Sequence, residues 1–406
     1  MPGLPVAFTS IHSDPLAPLG GISHGGQNVY VKELARHLTG EGFRVDVFSR
    51  WESPDQKPVE VIGPGARVVR VPVGPAGFVP KDELPALLPE VSNWIAEFWQ
   101  GTNASYQLIH GHYYESGAVA LALRKRWRVP VVETFHSLGI VKRLTLGPGD
   151  PSPVRRLEIE RRIVQKADRI IATAPQERRD LLEHYGADPS QLDVIPCGVN
   201  LDLFRPVPKD EARRYIDIPE DRFLLTFVGR IEQRKGIDTL LRAISIVRAR
   251  RPELPVHAII VGGEQRGEAW ESKPPEAETR ESRRLEELAS GLGIDSRVTF
   301  TGGMPQNVLR YYYSAGDVTV IPSYYEPFGM TALEALACGS SVIASRVGGL
   351  KSTVVEGQVG IQFEPQDAED LAAKIVSLVE HPELNARFRR EARPYVERNY
   401  SWTSVA

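Results

Sequence analysis

Residues 322–339, PSYYEPFGMTALEALACG, decide how the chain is read. They read as the end of a buried strand, a tight loop and the start of a helix. Glu326 falls in the loop, and Glu334, eight residues on, falls inside the helix. Phe328, Gly329 and Met330 would form the first helical turn, where backbone amides lack intrahelical partners and the helix dipole is positive. Such a turn is an anion site, and Gly329 at its centre lets a ligand approach the main chain. Ionised carboxylates are acceptor-only groups, suited to the paired hydroxyls of a sugar or a ribose. The plainer reading is an amphipathic helix with an acidic first turn, so the rest of the chain has to choose.

The next stretch outward is Gly229-Arg230-Ile231-Glu232-Gln233-Arg234-Lys235-Gly236, directly after the run Phe223–Val228. Two glycines bracket an Arg and a Lys between a strand end and a helix start. Paired cations there would neutralise a diphosphate, Arg230 as a fork and Lys235 as a point charge. The loop is not a Walker A motif, and its plain alternative is a basic surface turn. Both loops come from the same half of the chain and the same sheet edge, so one diphosphate could lie between them.

Around them runs a doubly wound α/β pattern. Apolar runs at 5–10, 45–48, 68–73, 108–112, 129–135, 169–174 and 192–196 alternate with helical periodicity in the first half. A polar, Pro-containing stretch at 199–219 reads as a linker. A second alternation follows, with runs at 223–228, 256–261, 298–301 and 318–322 and helices at 236–251, 280–292 and 307–315. Residues 1–200 and 219–389 are therefore expected to be two similar doubly wound α/β domains joined by a linker at 201–218. Residues 264–279 read as a long, mobile surface loop. Polar groups gather at strand ends, where open α/β sheets bind ligands. The Gly-rich loop ending in Gly25, Gly26 and Gln27 leads into a helix start but is not G-x-G-x-x-G.

Composition narrows the function classes. The 406 residues carry a net charge of −3, which gives no electrostatic footprint for nucleic acid. No apolar run approaches the about 18 residues of a membrane span, and no signal-peptide pattern opens the chain, so a cytoplasmic protein without membrane partners is expected. The two cysteines, Cys197 and Cys338, exclude a disulfide framework and a Cys-based metal site. No D-x-D triplet occurs in the chain, and no metal or other cofactor is expected. His110 and His112 have metal-like i, i+2 spacing, but a structural role is the reading.

VGRIEQRKG together with PSYYEPFGMTALEALACG resembles the signature of glycosyltransferase family 4, the retaining nucleotide-sugar transferases of the GT-B fold. GGQ at 25–27 and Phe135-His136-Ser137 match as well, so the resemblance covers essentially the whole chain. It implies two Rossmann-like domains facing across a cleft, the second binding the nucleotide sugar, with a C-terminal helix at 390–406 crossing back to the first. It also implies that Arg230 and Lys235, framed by Gly229, hold the donor diphosphate. Glu334 would take the ribose hydroxyls and Glu326 a donor-sugar hydroxyl. Gly329, Met330 and Thr331 would supply amides, and Met304 and Phe328 complete the donor set. His136 would sit beside the reacting carbon, with His136, Glu326, Arg230 and Lys235 as the catalytic group. Gly25, Gly26 and Gln27 would close over the β-phosphate and acceptor.

Residues 75–85, His112-Tyr113 and Arg155-Arg156 resemble a subgroup that contains bacterial sucrose-phosphate synthases and the inositol-phosphate N-acetylglucosaminyltransferases of mycothiol synthesis. That likeness implies a phosphorylated acceptor held by Lys81, Tyr113 and Arg156, with Gln27, Ser137 and Lys142. The resulting expectation is transfer of glucose from UDP-glucose, or a related nucleotide sugar, to fructose 6-phosphate. The alternatives are an inositol phosphate, free fructose, a sugar-phosphate epimerase and a non-catalytic nucleotide-sugar-binding module.

Overall fold

The computed structural model describes residues 3–17, 25–80, 83–100, 105–147, 153–263 and 276–406. Lys81 lies outside the described residues, as do 20–24 of the Gly-rich loop and 264–275 of the expected surface loop. The chain divides into two units between Cys197 and Gly198.

The first unit runs β1 (Leu4–Thr9), α1 (Gly26–Leu38), β2 (Phe43–Arg50), β3 (Val59–Gly63), β4 (Ala66–Val71), α2 (Leu84–Gln100), β5 (Leu108–His112), α3 (Tyr114–Trp127), β6 (Val131–Thr134), α4 (Gly139–Leu146), α5 (Val154–Lys166), β7 (Arg169–Ala172), α6 (Pro175–Tyr185) and β8 (Leu192–Val194). Its sheet order is β3-β4-β2-β1-β5-β6-β7-β8. Every pairing is parallel except that of β3 with β4. Val47, Val69, Ile109, Val131 and Ile170 are buried in the strands, as both-faced parallel sheets require. From β1 the chain winds one way through β2 and β4, then returns to β5 and winds the other way. The loops after β1 and β5 therefore flank the switch point, where open sheets receive ligands.

The second unit contains α7 (Lys209–Tyr215), β9 (Phe223–Val228), α8 (Ile237–Arg250), β10 (Val256–Val261), α9 (Glu276–Gly291), β11 (Val298–Gly302), α10 (Leu309–Ala315), β12 (Val318–Ile321), α11 (Met330–Ala337), β13 (Ser341–Ser345), α12 (Leu350–Thr353), β14 (Gly360–Phe363), α13 (Ala368–Glu380), α14 (Pro382–Asn399) and α15 (Trp402–Val405). Its all-parallel sheet is ordered β11-β10-β9-β12-β13-β14. Here the winding reverses between β9 and β12, which pair through Val318↔Leu225 and Thr319↔Thr226. The basic loop follows β9 and the acidic loop follows β12. The two stretches that decided the sequence reading thus emerge side by side at the switch point.

Two details depart from the sequence reading. Residues 201–218, expected as a linker, carry α7, which belongs to the second unit. Arg213 on α7 is buried and donates to the carbonyls of Ala315, Glu220 and Arg222 and to Asp317 Oδ2 at 2.8 Å. A charged, Pro-bounded stretch looks like a linker until one arginine finds several acceptors. The helix expected at 390–406 starts earlier, at Pro382, and packs on α11 and β13 of the second unit. Among the described residues no helix is long and apolar enough to cross a membrane.

Candidate active site

In the second unit the two loops are tied together at backbone level. The amide of Tyr324 donates to the Arg234 carbonyl at 2.8 Å. Gly236, in the left-handed region at φ +66, caps α8 so close to Pro322 that a Cβ would stand 2.0 Å from its carbonyl oxygen. That contact brings the side chains together. Lys235 Nζ donates to Glu326 Oε2 at 2.5 Å, and Ser323 Oγ reaches the same oxygen at 3.4 Å. Glu232 lies between two arginines, its Oε1 2.7 Å from Arg230 Nη1 and its Oε2 2.6 Å from Arg234 Nε.

The cluster's ionisation follows from those contacts. Burial opposes charge on Glu326, but Lys235 and Arg234, with the hydrogen bonds from Lys235 and Ser323, hold its carboxyl below the ordinary value. Burial likewise opposes charge on Glu232, and Arg234, Arg230 and Lys235 overcome it, pulling the carboxyl down to about 2. Glu334 behaves differently. It is buried on α11, takes a hydrogen bond from Tyr313 Oη at 2.8 Å, and is pushed up to about 7 by burial against that bond and the Lys235 charge. At neutral pH Glu326 is an anion and Glu334 is poised between its two forms.

Gly329 caps α11 at φ +98, where an L side chain is strained, and a Cβ would also meet Leu350 Cδ2 at 2.5 Å. The expected first turn therefore begins two residues later than the sequence suggested, with Met330 and Thr331 opening the helix. Their amides have no intrahelical acceptor. Phe328 is buried edge-on to Tyr400, so its side chain belongs to the core. Met304 packs against the cluster of Leu224, Ile259, Val261 and Tyr312. Gly229 donates its amide to Val261 and packs under Gly262.

In the first unit the ends of β5 and β6 carry two non-glycine residues at positive φ, Tyr113 at φ 78 and His136 at φ 57. Each such residue costs on the order of 1–3 kcal/mol, and such strain concentrates at functional sites. Tyr113, with ψ 162, caps α3 while its amide donates to the Thr134 carbonyl at 2.9 Å. His136 Nε2 lies 3.2 Å from His112 Nδ1, and the Tyr30 ring packs edge-on to His136 at 4.9 Å. Burial lowers His110 and His136 to about 3 and His112 well below its usual value, so all three imidazoles are neutral. Gln27 donates to the His112 carbonyl at 3.2 Å and to Ser10 Oγ at 3.3 Å. Gly26 opens α1, and the Gly25 amide is capped by Asn28 Oδ1 at 2.8 Å.

Arg156 gathers the remaining expected residues. Its Nη1 donates to Tyr113 Oη at 2.9 Å, and its Nη2 donates to Ser137 O at 2.6 Å and Ser137 Oγ at 3.3 Å. The guanidinium is 2% exposed, lies over the Tyr113 ring at 4.8 Å and pairs with Glu160 at 2.6 Å. Glu160 also accepts from the Gly139 amide and from Tyr185. Lys142 stands one turn into α4, half-buried, its amide on the Leu138 carbonyl at 3.0 Å.

The structure therefore joins Lys235 with Glu326, and Tyr113 and Ser137 with Arg156. It sets His136 against His112 and leaves the side chains of Met304 and Phe328 in hydrophobic packing. Sequence reading missed Glu232 and Arg234, Tyr313 and Glu160. The i, i+4 spacing of Arg156 and Glu160 on a helix could have signalled the last. Tyr313 carries no local signal, since only the packing of α10 beside α11 brings it to Glu334.

Comparison with known proteins agrees with this architecture. Residues 208–394 match the family Glycosyl transferases group 1 and residues 24–203 match Glycosyltransferase Family 4. The chain is 40% identical over 394 residues to a D-inositol 3-phosphate glycosyltransferase of Geodermatophilus obscurus, covering 95% of this chain and 85% of the relative. It is 38% identical over 403 residues to the protein of the same name from Rhodococcus opacus, covering 99% and 88%. Among solved structures it is similar to a sucrose-phosphate synthase from Thermosynechococcus elongatus, with a TM-score of 0.88, 36% identity and coverage of 99% and 96%. With both halves matched and two Rossmann-like sheets carrying the motif loops at their switch points, the chain belongs to the family 4, group 1 glycosyltransferases of the GT-B fold.

Proposed function

We propose that the protein is a retaining glycosyltransferase that moves glucose from UDP-glucose to a small acceptor bearing a phosphate monoester, with fructose 6-phosphate as the first candidate. The observation that carries the acceptor class is the cluster of Arg156, Tyr113 and Ser137, in which the buried guanidinium, paired with Glu160, holds the Tyr113 and Ser137 hydroxyl oxygens. Each hydroxyl oxygen accepts from the guanidinium and keeps its own O–H to donate, and two such donors beside a cation suit a phosphate. The likeness to a sucrose-phosphate synthase over nearly the whole chain favours fructose 6-phosphate. The D-inositol 3-phosphate glycosyltransferases at similar identity favour a second reading, inositol 3-phosphate, which presents the same phosphate chemistry.

In this reading the bond between the anomeric carbon and the β-phosphate oxygen breaks, and the acceptor hydroxyl oxygen takes its place on the same face. The hydroxyl proton passes to the departing phosphate. Arg230, Lys235 and the amides opening α11 meet the charge that develops on UDP. In the second unit Glu334 orients the ribose and Glu326 a hydroxyl of the glucose; His136 and Gln27 are the first unit's candidates for contacts to the sugar and the acceptor. Cations and amides doing this work make a divalent metal unnecessary.

UDP release from UDP-glucose, measured with fructose 6-phosphate, inositol 3-phosphate, fructose and inositol, with and without EDTA, tests the assignment. The expected result is release only with a phosphorylated acceptor and no loss in EDTA. Equal release with the unphosphorylated partners would remove the acceptor assignment. Binding of UDP without any release would turn the chain into a binding module.

A further inference from the structure

The histidines of β5 and β6 form a run of packed rings in the first unit. His110 and His112 have centroids 4.1 Å apart, and His112 and His136 are stacked at 5.4 Å. We propose that His112 is a positioning residue that fixes the tautomer of His136, so that His136 carries its proton on Nδ1 and offers that N–H to a ligand hydroxyl. The inference rests on the reading of His136 as a donor-sugar contact and adds which nitrogen makes it.

The argument is one of proton placement. His112 Nδ1 and His136 Nε2 are 3.2 Å apart, so one of them donates and the other accepts. His112 is fully buried, with the Phe8 ring at 4.9 Å and Tyr30 at 5.8 Å, and its Nε2 has no hydrogen-bond partner among the described residues. A proton on Nε2 would be an orphaned buried N–H, which folded proteins avoid more strictly than an unmatched lone pair. The proton of neutral His112 therefore sits on Nδ1 and is donated to His136 Nε2. An accepting Nε2 is unprotonated, and a neutral imidazole then holds its proton on the other nitrogen. Burial keeps both rings neutral, which closes the relay.

His110 does not compete, because its Nε2 is engaged with Thr134 Oγ1 at 2.9 Å. The left-handed backbone at His136 fixes the direction in which the ring leaves the strand end. With Nε2 occupied, His136 acts as a hydrogen-bond donor through Nδ1 and not as a base through Nε2. His112 itself touches no ligand in this account.

Long-range 1H–15N correlation spectra of the full-length chain with 15N-labelled histidine read the tautomers directly. The wild type should show Nδ1 protonated in both His112 and His136. His112→Leu should shift His136 toward Nε2 protonation and lower kcat for UDP-glucose about a hundredfold, the cost of losing one preorganised donor, with KM nearly unchanged. His112→Asn places an amide where Nδ1 stands and should restore both the tautomer and most of the turnover. A wild-type His136 protonated on Nε2, or a His136 tautomer indifferent to His112→Leu, would overturn the proposal. If the spectra agree while no UDP-sugar is turned over by the wild type, the functional reading falls and the tautomer assignment stands.

Discussion

Nucleotide affinity should rise through neutral pH under the proposal that Glu334 takes the ribose hydroxyls. Its carboxyl is lifted to about 7 by burial, partly offset by the Tyr313 hydroxyl and the Lys235 charge. Only the ionised form accepts two ribose hydroxyls, so binding below pH 7 must also remove a proton. With a midpoint near 7, about a tenth of the carboxyls are ionised at pH 6 and about nine-tenths at pH 8, which corresponds to about a tenfold difference in UDP affinity. Isothermal titration with UDP at both pH values gives the wild-type ratio. The same titration on Glu334→Gln isolates the contribution of the nucleotide's own phosphate. The expected outcome is weaker binding by the variant at pH 8 and a pH ratio that collapses toward that of the nucleotide alone. Identical ratios in the two proteins, or tighter wild-type binding at pH 6, would refute the reasoning.

Further outcomes follow from the same geometry. Lys235→Ala should cut turnover at least about a hundredfold by removing a preorganised charge, and should lower thermal stability because Glu326 loses the partner now 2.5 Å away; unchanged turnover would remove the diphosphate assignment. Arg156→Lys should raise the acceptor KM about tenfold, since Lys cannot reproduce the fork, while UDP affinity stays as it was; an equal fall in UDP affinity would contradict the separation of roles. Glu133, fully buried between Gly111 and Gly117 and raised by burial and by Glu160 and Glu115, favours its neutral form in the folded chain. Its contribution to stability is thus fullest below the ordinary carboxylate range and declines as pH rises toward the folded value. Glu133→Gln should raise Tm at pH 8 and have little effect at pH 4, as read by calorimetry; a variant less stable at pH 8 would contradict this.

Much of the architecture could be read in the sequence because parallel strands buried on both faces announce themselves as Val- and Ile-rich runs. VHAIIV in β10 is such a run. The edge strand β3 was not placed. Val61 and Glu60 alternate in a short, half-exposed hairpin partner, and Val61 is 72% exposed, so no buried run marks it. In the second unit the cations and carboxylates of two loops were legible as a pair because both loops sit at strand ends. Their joining depended on Gly236 lying against Pro322, which no local pattern reveals. The role of Glu232 was hidden for another reason: an acid among three bases reads as ordinary charge alternation until both its oxygens are seen occupied. In the first unit, His136 was found by its motif, whereas His112 at the end of β5 acquires meaning only from the register that sets β5 beside β6.

A crystal structure of the protein with UDP tests the central claim most directly. The account predicts the diphosphate within hydrogen-bonding distance of Arg230, of Lys235 Nζ and of the Met330 and Thr331 amides, with the ribose hydroxyls on Glu334. A diphosphate bound elsewhere, with Lys235 still on Glu326 and Arg230 still on Glu232, would contradict it.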